Sequence, residues 1–179
     1  ISGATVTWTT SSASVATVSS AGLVTSVADG TATITATSGS LSATSSVTVA
    51  QPFYLAANGV TVMCPTTQTG DTATVNGVLY TKRDRVGLDA WASSKNYALL
   101  SATCTSGITD MSLLFAGETL FNEPIGSWDV SGVTNMESMF VITRAFNQPI
   151  GDWDVSSVTN MRLMFNGAYA FNQDIGSWD

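Results

Sequence analysis

Residues 121–145 read FNEPIGSWDVSGVTNMESMFVITRA and residues 146–170 read FNQPIGDWDVSSVTNMRLMFNGAYA, identical at 16 of 25 positions; a third copy opens FNQDIGSWD and runs to Asp179. A unit of this length cannot bury its apolar edge alone, so copies stack on one another. The expected architecture is a solenoid, which offers an extended surface suited to binding rather than an enclosed reaction chamber.

Within each copy the apolar residues are spaced I-x-x-W-x-V-x-x-V: Ile125, Trp128, Val130 and Val133 recur as Ile150, Trp153, Val155 and Val158. These side chains are expected to point inward along a short strand. Thr134 and Glu137 are placed to form a capping box at the start of a helical turn, with Met136, Met139 and Phe140 turned to the core. Phe121 and Asn122 close the coil, and Asn122, Asn147 and Asn172 are expected to form an internal hydrogen-bonded ladder. An earlier partial copy spans residues 106–120, and one coil further upstream the framework decays to Leu100, Thr103, Thr105 and Ile108. In that register Cys104 takes the rung of Asp129 and Asp154.

Alternation along the strand would leave Ser127, Asp129, Ser131, Asp152, Asp154, Ser156, Ser177 and Asp179 outward, and this row is the candidate binding face. Rungs about 4.8 Å apart would set neighbouring carboxylates against each other by about 0.9 kcal/mol even in water. Solvation with hydrogen bonds to nearby hydroxyls or turn amides is one way to offset this. A calcium-bridged ladder is another, although no EF-hand or nonapeptide calcium pattern is present. A protein or glycan partner is the third. Tryptophans at a framework position read first as core, with sugar stacking as the alternative. A glycosidase reading of Asp129 and Asp154 ranks last, because equivalent rungs lack the differing environments that separate acid from nucleophile.

Residues 1–50 carry a different pattern. TATITAT at 31–37 puts Ala32, Ile34 and Ala36 on one face and threonines on the other, the period of a half-buried strand. Further strands are expected at 6–8, 15–18, 23–27 and 46–49, spaced as in an antiparallel sandwich. Residues 51–105 form a linker and cap. Asn58-Gly59 and Asn76-Gly77 mark turns, the second a two-residue hairpin, and Asp84 can cap a helix presenting Leu88, Trp91 and Ala92. Cys64 and Cys104 most simply form one disulfide, worth about 3–4 kcal/mol in the chain-entropy picture; two buried thiols, or a redox or metal pair, are the alternatives.

The composition narrows the function. Only 11% of residues are charged against 44% hydrophobic, the net charge is −7, and histidine is absent. Without histidine most hydrolase triads are excluded, and six scattered bases argue against nucleic acid. No apolar run reaches the roughly 20 residues of a membrane span. Starting at Ile1 and stopping inside a repeat, the chain is expected to be cut at both ends.

Two resemblances follow from these motifs. VTWTTSSASVATVSSAGLVTSVADGTATITATSG with SATSSVTV resembles the bacterial immunoglobulin-like domain of group 2, lacking that family's first strands; the resemblance implies a spacer module. The repeat, together with CTSGITDM at 104–111, resembles the BspA-type leucine-rich-repeat surface proteins, built from F-N-x-x-I-x-x-W-D-V-S-x-V-T-x-M-x-x-M-F units. That likeness implies surface display and adhesion, with no catalytic residues to carry over. The resulting expectation is a mainly β chain with short helices: an incomplete Ig-like sandwich at 1–50, a hairpin and helix cap at 51–105, and a leucine-rich-repeat-like solenoid at 106–179. It would be a non-catalytic extracellular surface protein, needing no cofactor, with an unidentified protein or glycan partner or self-association. A fibre, sheath or phage appendage subunit, or an appendage of a secreted enzyme, are the alternatives.

Overall fold

The computed structural model describes residues 5–28, 30–50 and 52–178. It is mainly β, with several small sheets, none of them closed, and separates into two compact units, Ile1–Gln51 and Pro52–Asp179.

In the first unit β1 (Thr7–Thr10), β4 (Gly30–Ser38) and β5 (Leu41–Val49) form an antiparallel sheet in the order β1-β4-β5, and β2 (Ala16–Val18) pairs with β3 (Val24–Ser26). The alternation expected for residues 31–37 is present: Ala32 and Ile34 are buried with Ala16. Gly22 is required where it stands, because its φ is +82° and a Cβ there would lie 2.8 Å from the Trp8 indole.

The second unit starts with two hairpins. β6 (Tyr54–Leu55) pairs with β7 (Val62–Met63), and β8 (Thr72–Val75) pairs with β9 (Val78–Lys82) through the Asn76-Gly77 turn, both of whose residues have positive φ. That is the conformation a two-residue hairpin loop needs. β10 (Thr103–Cys104) runs parallel to β9. Helix α1 (Arg85–Ser93) is capped by the Asp84 carboxylate, which accepts from the Gly87 N–H at 2.9 Å. Its Leu88 and Ala92 are buried in the same apolar cluster as the repeats, with Trp91 and Tyr97 packed against it. The Cys64–Cys104 disulfide is present, buried with Phe53, Val62 and Val75 in a smaller second cluster.

The repeats are neither strands nor helices but runs of turns locked to one another at constant register. N–H groups of Met111, Leu113, Phe115 and Gly117 donate to carbonyls of Asn135, Glu137, Met139 and Val141 at 2.8–3.0 Å. The next copy repeats this from Met136, Ser138, Phe140 and Ile142 to Asn160, Arg162, Met164 and Asn166. N–H groups between them close local turns, as Ala116 to Leu113 and Glu118 to Phe115. Turning the chain this tightly puts Leu113, Ser138 and Leu163 at equivalent positions with φ of 60°, 56° and 59°, a left-handed conformation costing about 1–2 kcal/mol per residue. The helical turn expected at 134–137 is therefore absent. The Thr134 hydroxyl donates to Thr109 O, and the turn is made by Asn135, whose Oδ1 accepts from Glu137 N.

Side chains follow the same register. Phe121, Phe146 and Phe171 stack at 5.7 and 5.8 Å, and Phe115, Phe140 and Phe165 at 5.6 and 5.5 Å. Trp153 and Trp178 lie 6.3 Å apart with planes 4° from parallel. Each indole N–H donates one copy back: Trp128 to Leu100 O, Trp153 to Ile125 O and Trp178 to Ile150 O. The upstream register at Leu100 is thereby fixed. At the rim, Asn122 Oδ1 accepts from Asn147 N and Asn147 Oδ1 from Asn172 N, with Gln148 and Gln173 reinforcing each step. The asparagine ladder exists, but on an exposed edge.

Copies meet closely at Gly126, where a Cβ would sit 2.7 Å from Pro149 O; Gly151 meets Asp174 O at the same distance. Gly126→Ala is expected to lower the stability of this unit by about 1–3 kcal/mol, the cost of overpacking a filled interior. Urea unfolding followed by tryptophan fluorescence measures it, and a midpoint equal to wild type would contradict the close approach.

Candidate functional site

The expected binding face is built by residues 127–131 of one copy and 152–156 of the next. Neither stretch is a strand. Each aspartate instead folds back on its own chain: Asp129 Oδ1 accepts from Ser131 N at 3.1 Å and Ser131 Oγ at 2.6 Å, and Asp154 Oδ1 accepts from Ser156 N and Oγ at the same distances. Each carboxylate thus has one oxygen satisfied by a hydroxyl and a turn amide of its own copy.

The face is not open along its whole length. The turn joining β6 to β7 reaches both rungs: Val62 N donates to Ser127 O of the first at 2.8 Å, and Asn58 Nδ2 to Asp152 O of the second at 3.3 Å. Asn58 shapes that turn, accepting from Val60 N and Thr61 N and donating to Thr61 Oγ1. Behind it, the Cys64 N–H donates to Ser106 Oγ at 2.9 Å, next to the disulfide.

The expectation that Asp129 points outward is therefore corrected: it is 4% exposed. Two causes act together, the covering turn and the absence of strand alternation. Ser127 and Ser131 are half-buried, whereas Asp152, Asp154, Ser156 and Ser177 are exposed. Ser177 spends its hydroxyl on Gly151 O at 2.7 Å. Asp179 lies outside the described residues. Trp128 and Trp153 are buried, so they form no open sugar platform.

One participant escaped the sequence reading. Lys82, at the end of β9, is 8% exposed, and its Nζ donates to Ser106 O. Burial pulls its pKa below the ordinary lysine value, and the Asp129 charge pushes it partly back. Nothing in the local pattern around Lys82 signalled this, since the pairing depends on where a hairpin 47 positions earlier in the chain than Asp129 (129 − 82) comes to rest.

Between the covering turn and the two aspartate rungs lies a cleft of about 320 Å³. Ala56, Asn58, Thr61 and Met63 form one wall, and Asp129, Val130, Ser131 and Asp154 the other. A shallower apolar groove of about 220 Å³ lies in the first unit beside Leu41 and Val6. Among the described residues no group of three or more His, Cys, Asp and Glu side chains is placed to hold a metal ion. Nor is any helix among them long and apolar enough to cross a membrane.

Comparison with known proteins gives two family matches. Residues 89–179, half of the chain, match the family described as "Mycoplasma protein of unknown function, DUF285", and residues 2–49 match the bacterial Ig-like domain (group 2). No curated protein and no solved structure matches.

The Lys82 environment sets a pH dependence. Its native pKa is depressed, so in the window between that value and 10.5 the unfolded chain holds more protons than the native one, and stability rises with pH. Thermal melts at increasing pH up to 10.5 should show wild type gaining on Lys82→Met. A constant difference would contradict the buried, partly compensated amine.

Proposed function

This chain belongs to the family described as Mycoplasma protein of unknown function, DUF285, and from that premise we propose that it is a non-catalytic extracellular surface protein that adheres through its repeats. The stacked copies act as a solenoid of the BspA leucine-rich type, and the Ig-like unit serves as a spacer. An Ig-like module, a DUF285 repeat region and a disulfide are together consistent with a protein outside the cell. The partner is a protein or glycan on another surface.

The observation that carries this reading is the division of each copy into two flanks. Phe, Trp, Met and Ile side chains fill one flank completely, while the same short carboxylate and hydroxyl groups recur on the other at one-copy pitch. Repeat arrays present extended surfaces of this kind to partners. Because Asp129 is covered, the contact surface begins at the second rung, with Asp152, Asp154 and Ser156 and then Ser177.

The test is cell binding of the purified protein by flow cytometry. A D152A/D154A double variant with unchanged melting is expected to bind at least tenfold more weakly. Undiminished binding would overturn the assignment of the face, and ordered filaments by electron microscopy with no cell binding would point to a structural subunit.

A further inference from the structure

We infer that the cleft between the Asn58 turn and the two aspartate rungs receives a primary alkylammonium group, such as the end of a lysine side chain. The inference deepens the binding-face reading and rests on it for biological use, but the chemistry follows from the cleft itself.

Size comes first. At about 320 Å³ the cleft is at the lower limit of small-molecule sites, which run from about 300 to 1,000 Å³. It takes the tip of one aliphatic side chain, not a run of sugar rings. Its apolar lining residues, Met63, Ala56 and Val130, match a methylene stem, the part of a lysine that is favourably buried while the head stays polar.

Charge comes second. Asp129 and Asp154 both line the cleft, and no basic side chain does. Lys82 offsets Asp129 from outside the cleft, its Nζ already engaged by Ser106 O. Asp154 has no basic side chain within ion-pair distance among the described residues. The cleft is left with about one uncompensated negative charge, and a chain of net charge −7 adds a long-range field of the same sign.

Geometry decides between the two natural cations. On each aspartate Oδ1 is occupied by two serine donors, whereas among the described residues no hydrogen bond falls on either Oδ2. Asp129, although 4% exposed, still lines the cleft. Free acceptors are thus single oxygens from two different residues, not both oxygens of one carboxylate. A guanidinium gains its advantage from a two-oxygen fork, and that fork is unavailable here. An ammonium, a point charge with three rotatable donors, can bridge two separate oxygens.

The experiment is an amide chemical-shift titration of the ¹⁵N-labelled chain with Nα-acetyl-lysine methylamide, its arginine counterpart and 1,5-diaminopentane. Saturable shifts at Thr61, Ser131 and Asp154 are expected with the lysine compound, with the arginine compound at least fivefold weaker. Asp154→Asn should weaken binding at least tenfold while leaving the melting temperature unchanged, since Asn keeps the Oδ1 acceptor for Ser156. Tighter binding of the lysine amide than of the diamine assigns the site to a partner's lysine, and the reverse order to a free diamine. Absence of saturation, equal binding by Asp154→Asn, or arginine binding as tightly as lysine would overturn the inference. Cell binding sensitive to D152A/D154A but without amine binding would sink this inference alone, leaving the adhesion reading intact.

Discussion

The structure depends on one hydrogen-bonding constraint: alternate backbone N–H groups in each copy donate to the next copy at an offset of 24 residues, as from Met111 to Asn135 and from Met136 to Asn160. A backbone donor buried without a partner costs about as much as a lost hydrogen bond, so a chain made only of turns is tenable inside a packed unit only if another copy accepts what its own turns cannot. That requirement sets the distance between copies and their register. Close approach at Gly126, the two phenylalanine columns and the left-handed residues at 113, 138 and 163 are its consequences. The tryptophans add a side-chain version of the same bond, each indole N–H satisfied one copy back.

An edge that stacks also has to begin somewhere. Here the first copy is covered from two directions: α1 closes the apolar flank with Leu88 and Ala92, and the β6–β7 hairpin crosses the polar flank. The disulfide joins that hairpin to the strand leading into the first copy. The hairpin so anchored borders, together with Asp129 and Asp154, a cleft on the repeating surface. The cap thus contributes both stability and a concave site on the polar flank.

Much of this was legible in the sequence because identical units must occupy equivalent positions. The inward set Ile125, Trp128, Val130 and Val133, the upstream framework at Leu100, Thr103, Thr105 and Ile108, the Asn76-Gly77 hairpin and the Asp84 cap are all visible as spacing or local turn chemistry, and all are found. The backbone conformation of the repeat was less legible. A period-two stretch suggests a strand, but Asp129 and Asp154 capture their own Ser131 and Ser156 and bend the chain, and Asn135 supplies the turn that Thr134 was expected to cap. The burial of Asp129 and Lys82 was not legible at all. It arises from contact between segments far apart in the chain, and periodicity says nothing about which segment covers which face.

The most direct test is to observe the inter-copy bonds themselves, through scalar couplings across hydrogen bonds in the deuterated, ¹⁵N,¹³C-labelled chain. Correlations from the amides of Met136, Ser138, Phe140 and Ile142 to the carbonyl carbons of Asn160, Arg162, Met164 and Asn166 are the result this account predicts. Correlations to carbonyls four residues back, or to a different offset in the following copy, would contradict it.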